Sequence, residues 1–121
     1  MVDSEFCQVM TAIDSREAAD ALAQAAVWGR LAACAQVVGP IASTHWWENA
    51  VQSAEEWLVL FKTRTDRYEA LEEHIRDNHP YDLPEILCTP VTRGNPAYLA
   101  WVRHQVDAPQ LSDGDDGGTE P

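Results

Sequence analysis

Between Asn78 and Glu85 the chain reads Asn-His-Pro-Tyr-Asp-Leu-Pro-Glu, which sets an imidazole, a phenol and two carboxylates between two prolines. Rigid turns that display such groups together are where binding sites concentrate. Imidazole takes copper or zinc when its ring is neutral, and carboxylates assist. His79 is therefore the candidate metal ligand, with Asp82 and Glu85 as its helpers. The same residues would also serve simply to stop one helix and start the next strand, with Tyr81 packing on the core. Cys34 and His79 could in principle pair as nucleophile and base, but spacing along the chain shows neither thiolate activation nor adjacency. The chain has no G-x-S-x-G, no Walker-type glycine loop, no H-E-x-x-H and no dinucleotide fingerprint. The absence of these motifs weakens the reading as an enzyme without excluding it, and no cofactor is required. Cys7, Cys34 and Cys88 lack C-x-x-C spacing and read as reduced, small apolar residues.

These groups need elements to position them. Phe6 to Ile13 has strand composition and ends at a helix-start signal, in which Asp14 and Glu17 have capping-box spacing. Ala18, Leu22 and Ala25 or Ala26 then recur at helical spacing until Trp28-Gly29. Leu31 to Glu48 reads as a long strand bent at Gly39-Pro40, and Val51 to Thr65 as its partner across a turn at Asn49-Ala50. Asp66 and Glu69 have capping-box spacing for a second helix, with Tyr68, Leu71 and Ile75 on its inner face and an end before Pro80. Pro84 to Val91 is a short strand, and Asn95-Pro96 opens a last helix carrying Tyr98, Leu99 and Val102. The order β-α-β-β-α-β followed by α predicts an α+β fold, the ferredoxin-like plait, with an antiparallel four-stranded sheet and both main helices on one face. The hairpin arms are longer than one small sheet can use. An overhanging edge is a liability that pairing with another subunit resolves. Ser43 to Glu48 puts His45, Trp46 and Trp47 on both faces of the arm, and buried aromatics at an interface explain that placement better than water does.

Composition sets the outer bounds. At 121 residues there is room for one domain. Eight basic residues against twenty acidic give a charge of −12, which repels phosphate backbones and argues against a nucleic-acid partner. No apolar run approaches the roughly 20 residues that span a bilayer, so no membrane partner is expected. The acidic start, Met1-Val2-Asp3-Ser4-Glu5, lacks the pattern of an export signal, and the expected location is cytoplasmic. Residues 1–106 are expected to form the domain. Residues 107–121 hold five acids, no base and one large apolar side chain, Leu111, and are expected to be a disordered acidic tail.

Five segments in one order carry a resemblance: Leu31-Ala32-Ala33-Cys34, Ser43 to Glu48 with its Trp-Glu pair, Leu60-Phe61-Lys62-Thr63, His79 to Ile86, and Tyr98-Leu99-Ala100-Trp101. Over about positions 8 to 103 the chain resembles the CutA divalent-cation tolerance family. The resemblance implies a ferredoxin-like domain assembled through long hairpins into a tight homotrimer, similar in architecture to the PII signalling proteins. It also implies a role in tolerance of copper and other divalent metals, without enzymatic turnover. Asn49-Ala50 stands where the family usually has Gly-Lys, and His45 where an aromatic usually precedes the tryptophans. The copper ligands proposed in some members, a first-strand Cys and a His pair, correspond here to Met10, Asn78 and His79. Only His79 is retained, so the resemblance implies weak copper binding. The alternatives are a PII-like signalling or scaffold trimer with a small-ligand or protein partner, and a small Cys/His enzyme.

Overall fold

A computed structural model of the chain describes residues 4–109. The elements run β1 (Phe6–Ile13), α1 (Arg16–Trp28), β2 (Cys34–Trp47), β3 (Ala50–Arg64), a 3-10 turn (Thr65–Arg67) leading into α2 (Tyr68–Asn78), β4 (Ile86–Val91) and α3 (Pro96–Asp107). The strands form one sheet in the order β2-β3-β1-β4, with every neighbouring pair antiparallel. That is the ferredoxin-like order the element sequence predicts.

Helix α1 starts one residue later than the capping-box spacing suggests. Ser15, not Asp14, takes the cap position in extended conformation, and its hydroxyl accepts from the Ala18 amide at 3.2 Å. A one-residue change of cap is small in sequence, yet the extended backbone it requires falls on Ser15. The second expected cap does not form. Arg64 takes the Asp66 carboxylate at 2.7 Å, and the chain enters α2 through the 3-10 turn without a side-chain cap.

The hairpin turn sits at Glu48-Asn49 rather than Asn49-Ala50, because Ala50 already pairs with Trp47. Glu48 and Asn49 have φ of 51° and 64°, the two positive values that a type I′ turn demands. Asn tolerates that region and Glu does not. Replacing both, Glu48→Asn with Asn49→Gly, should therefore raise stability by about 0.5–1 kcal/mol, read as an upward shift of the thermal midpoint. Farther down the arm, the expected bend is a bulge between Val38 and Ile41. Gly39 is required there, since a Cβ on it would stand 2.5 Å from Trp57 Cδ1.

Strand alternation divides the side chains between two faces. Cys7, Val9, Ile13, Val59 and Phe61 point to the helix side, where they meet Ala19, Leu22, Ala23 and Ala26 of α1 and Leu71 and Ile75 of α2. The alanines let α1 lie close on the sheet, and burying a side chain the size of Phe61 contributes roughly 1.5–3 kcal/mol. On the opposite face α3 covers one end, packing Val102 and Val106 on Phe6 and Ala33. Asn95 caps α3 by accepting from the Ala97 amide at 3.0 Å. Cations hold its C-terminal end: Arg30 donates to the Gln105 carbonyl and side chain, and Arg67 donates to the Val106 carbonyl at 2.6 Å. Arg64 also holds Asp107 at 2.6 Å, so α3 extends one residue into the segment expected as tail. Residues 110–121 lie outside the described residues.

Among the described residues, the middle of that face is left without a covering element. Met10, Leu58 and Leu60 are half-buried, and Val38 and Leu87 are exposed. Beyond the bulge the arm carries Trp46, 74 % exposed, with Trp47 and Val51 beside it.

Candidate functional site

The turn after α2 is built around His79. It ends the helix in extended conformation, as a residue before proline must, and its ring reaches back to the end of β1. The Nε2–H donates to the Ala12 carbonyl at 2.9 Å, and Nδ1 accepts from the Tyr81 amide at 3.2 Å. These two bonds together select the neutral ring with its proton on Nε2. The Tyr81 ring stands edge-on to the imidazole, with centroids 4.6 Å apart.

Tyr81 then crosses to β3. Its hydroxyl donates to Glu56 Oε2 at 2.8 Å, and Glu56 is only 8 % exposed. Burial first, and the hydrogen bond to Glu56 second, push the phenol well above its ordinary range. The turn is thus a chain of contacts from Ala12 through His79 and Tyr81 to a buried carboxylate. Sequence reasoning singled out His79 and Tyr81 and missed Glu56. No spacing signal ties Glu56 to Tyr81; only the bulge in β2 and the register of β3 bring it to the turn.

The proposed helpers are less closely held. Asp82 and Glu85 are exposed on the same turn, with no recorded hydrogen bond to His79. Asn78 folds back on its own helix, donating to the His74 carbonyl at 2.9 Å, and Met10 lies on the uncovered sheet face opposite Leu60 and Leu87. Among the described residues no group of three or more His, Cys, Asp or Glu stands ready to hold a metal. A metal at His79 would have to draw one ring nitrogen out of its backbone hydrogen bond.

Cys34 does not join His79. It pairs with Lys62 at the α3 end of the sheet, whereas His79 bonds Ala12, and Lys62 is opposite Gln8, four residues away along β1. At about 3.3 Å per residue that is about 13 Å along the strand, so the dyad is not assembled. Cys34 instead lies near Tyr98, whose phenol is raised chiefly by burial. No described helix is long and apolar enough to cross a membrane.

Comparison with known proteins agrees with this architecture. The family model for the CutA1 divalent ion tolerance protein matches residues 7–105. The chain is 39% identical over 95 residues to the divalent-cation tolerance protein CutA of Thermus thermophilus, covering 78% of this chain and 92% of that one. It is 40% identical over 96 residues to the chloroplastic protein CutA 1 of Oryza sativa, covering 79% of this chain. The chain spans about half the length of that plant relative. The crystal structure of CutA1 from Oryza sativa superposes with a TM-score of 0.82 at 37% identity, over 84% of this chain and 94% of that one. With a matching family model, relatives near 40% identity and a shared fold over the same residues, this chain belongs to the CutA1 divalent ion tolerance family.

Proposed function

We propose that the chain acts in divalent-cation tolerance by binding rather than turnover, as a homotrimer whose subunits cover one another's open sheet faces. The observation that carries the assembly is the apolar face around Met10, Leu58, Leu60 and Leu87, which the described residues of one chain leave uncovered beside an arm bearing Trp46 and Trp47. Patches of that kind mark association surfaces. The cysteines stand free of disulfides, which suits a reducing compartment such as the cytoplasm.

For the metal, His79 is the imidazole donor at the turn. Binding copper or zinc there exchanges a backbone hydrogen bond for a coordinate bond, so the affinity is weak. Calorimetric titration with divalent copper should show that affinity falling at least roughly tenfold in His79→Ala and falling again as acid protonates the ring. Unchanged affinity in His79→Ala would remove His79 from the reading. The second reading is a signalling or scaffold trimer of the PII-like kind with a small-molecule or protein partner. It is favoured by the lack of any three-ligand cluster within one chain among the described residues.

A further inference from the structure

Two of the three thiols come together in a place that the reading above does not use. In the register of β1 and β4, Cys7 is opposite Pro90 and Cys88 is opposite Val9, so the two cysteines are diagonal neighbours on adjacent strands. Opposed residues share a face, and Cys7 and Val9 both point to the helix side. Cys7 is 2 % exposed, while Cys88 is exposed on the edge strand. Burial is the larger cause that pushes the Cys7 thiol up to about 12, and the neighbouring Cys88 thiol adds to it. Thr65, Tyr68 and Glu69 face the pair from the turn and helix packed above it, with Glu72 and Arg76 beside Tyr68.

Two chemistries suit adjacent thiols, and strand geometry separates them. Diagonal neighbours have Cα atoms roughly 7–8 Å apart. A disulfide wants no more than about 6.8 Å, so bridging these two would require backbone movement. A single metal ion between two thiolates instead needs its sulfurs about 4.5 Å apart, twice a metal–thiolate bond of about 2.3 Å. Zinc would need further protein donors for its tetrahedral shell, and no three-ligand group exists here among the described residues. Monovalent copper is a soft ion content with two thiolates.

We propose that Cys7 and Cys88 form a two-thiolate site for monovalent copper, with Cys88 meeting the ion at the surface and Cys7 anchoring it at the edge of the core. Each thiol releases its S–H proton to solvent as its S–Cu bond forms. Copper stays monovalent throughout, and the filled site carries one net negative charge. The site is separate from His79, so either assignment can fail without the other.

The test uses the full chain, reduced and free of oxygen, titrated with Cu(I) against a bicinchoninate chelator. One ion per chain should bind, with a sulfur-only first shell by X-ray absorption. Cys88→Ser should weaken binding about a hundredfold, while Cys34→Ser and His79→Ala should retain it. In the unmutated chain, Cu(I) should shield Cys88 from alkylation by iodoacetamide, read by mass spectrometry, which keeps the test independent of any folding defect in a variant. Full affinity in Cys88→Ser, loss in Cys34→Ser, or equal alkylation of Cys88 with and without the ion would overturn the proposal.

Discussion

Shortening the hairpin arm by removing residues 42–54 and rejoining the strands with a tight turn is expected to convert the proposed trimer into a monomer. Light scattering should then report somewhat less than one third of the original mass, since each chain is also shorter. The segment lies beyond the bulge between Val38 and Ile41, so the register of β3 with β1, which ends at the pair Ile13–Trp57, is left intact. Both clusters that make the core of one chain lie below it. What the deletion removes is Trp46, Trp47 and Val51, large apolar side chains that are exposed in the single chain. Aromatic side chains at the centre of an interface contribute about 2 kcal/mol or more each, and two of them are lost from every subunit. Leu60→Glu separates the arm from the face. It places a charge on the uncovered sheet surface and should also dissociate the assembly, with the arm still present. A trimer that survives both changes would refute the assembly, and a chain that unfolds when monomeric would show that the subunit depends on its partners.

Much of this architecture was legible in the sequence, and what was not legible has a common physical origin. The bounds of β1, the glycine stop after Trp28 and the Asn95-Pro96 start of α3 were read correctly, because each is set by local steric or hydrogen-bonding preference. The caps were misread where two local signals competed. Asp14 and Ser15 are both good caps, and Asp66 had a cation nearby in Arg64 that spacing could not weigh. The hairpin turn moved by one residue because pairing continues to Trp47–Ala50, which places positive φ on Glu48, a residue whose type gives no hint of it. In the candidate site, His79 and Tyr81 stood out as residue types within a rigid turn. Their real partners, the Ala12 carbonyl and Glu56, come from β1 and β3 and depend on a register that no local pattern encodes. The proximity of Cys7 and Cys88, eighty-one positions apart, was hidden for the same reason.

Replacing Tyr81 with Phe should destabilise the chain by about 1–3 kcal/mol at neutral pH, the cost of leaving a buried polar group without its partner. The substitution keeps the aromatic ring and its edge contact with His79, and it keeps the Tyr81 backbone amide that His79 Nδ1 accepts. It removes only the hydroxyl that donates to Glu56 Oε2. Because Glu56 is 8 % exposed, water cannot easily replace that donor. The pH dependence lies on the alkaline side. Burial and the hydrogen bond to Glu56 raise the Tyr81 phenol, and a group raised on folding lends stability that is complete below its unfolded value of about 10 and is lost as pH climbs through the raised one. The parent should therefore lose stability above about pH 10 by a route the Phe variant lacks, and the two melting curves should converge there. Glu56→Gln is the internal control, since an amide oxygen can still accept from the phenol without carrying charge. It should cost less than Tyr81→Phe at neutral pH. A Tyr81→Phe penalty that is absent at neutral pH and unchanged into alkali would mean that the hydroxyl contributes nothing through Glu56 and that the turn is held by ring packing alone.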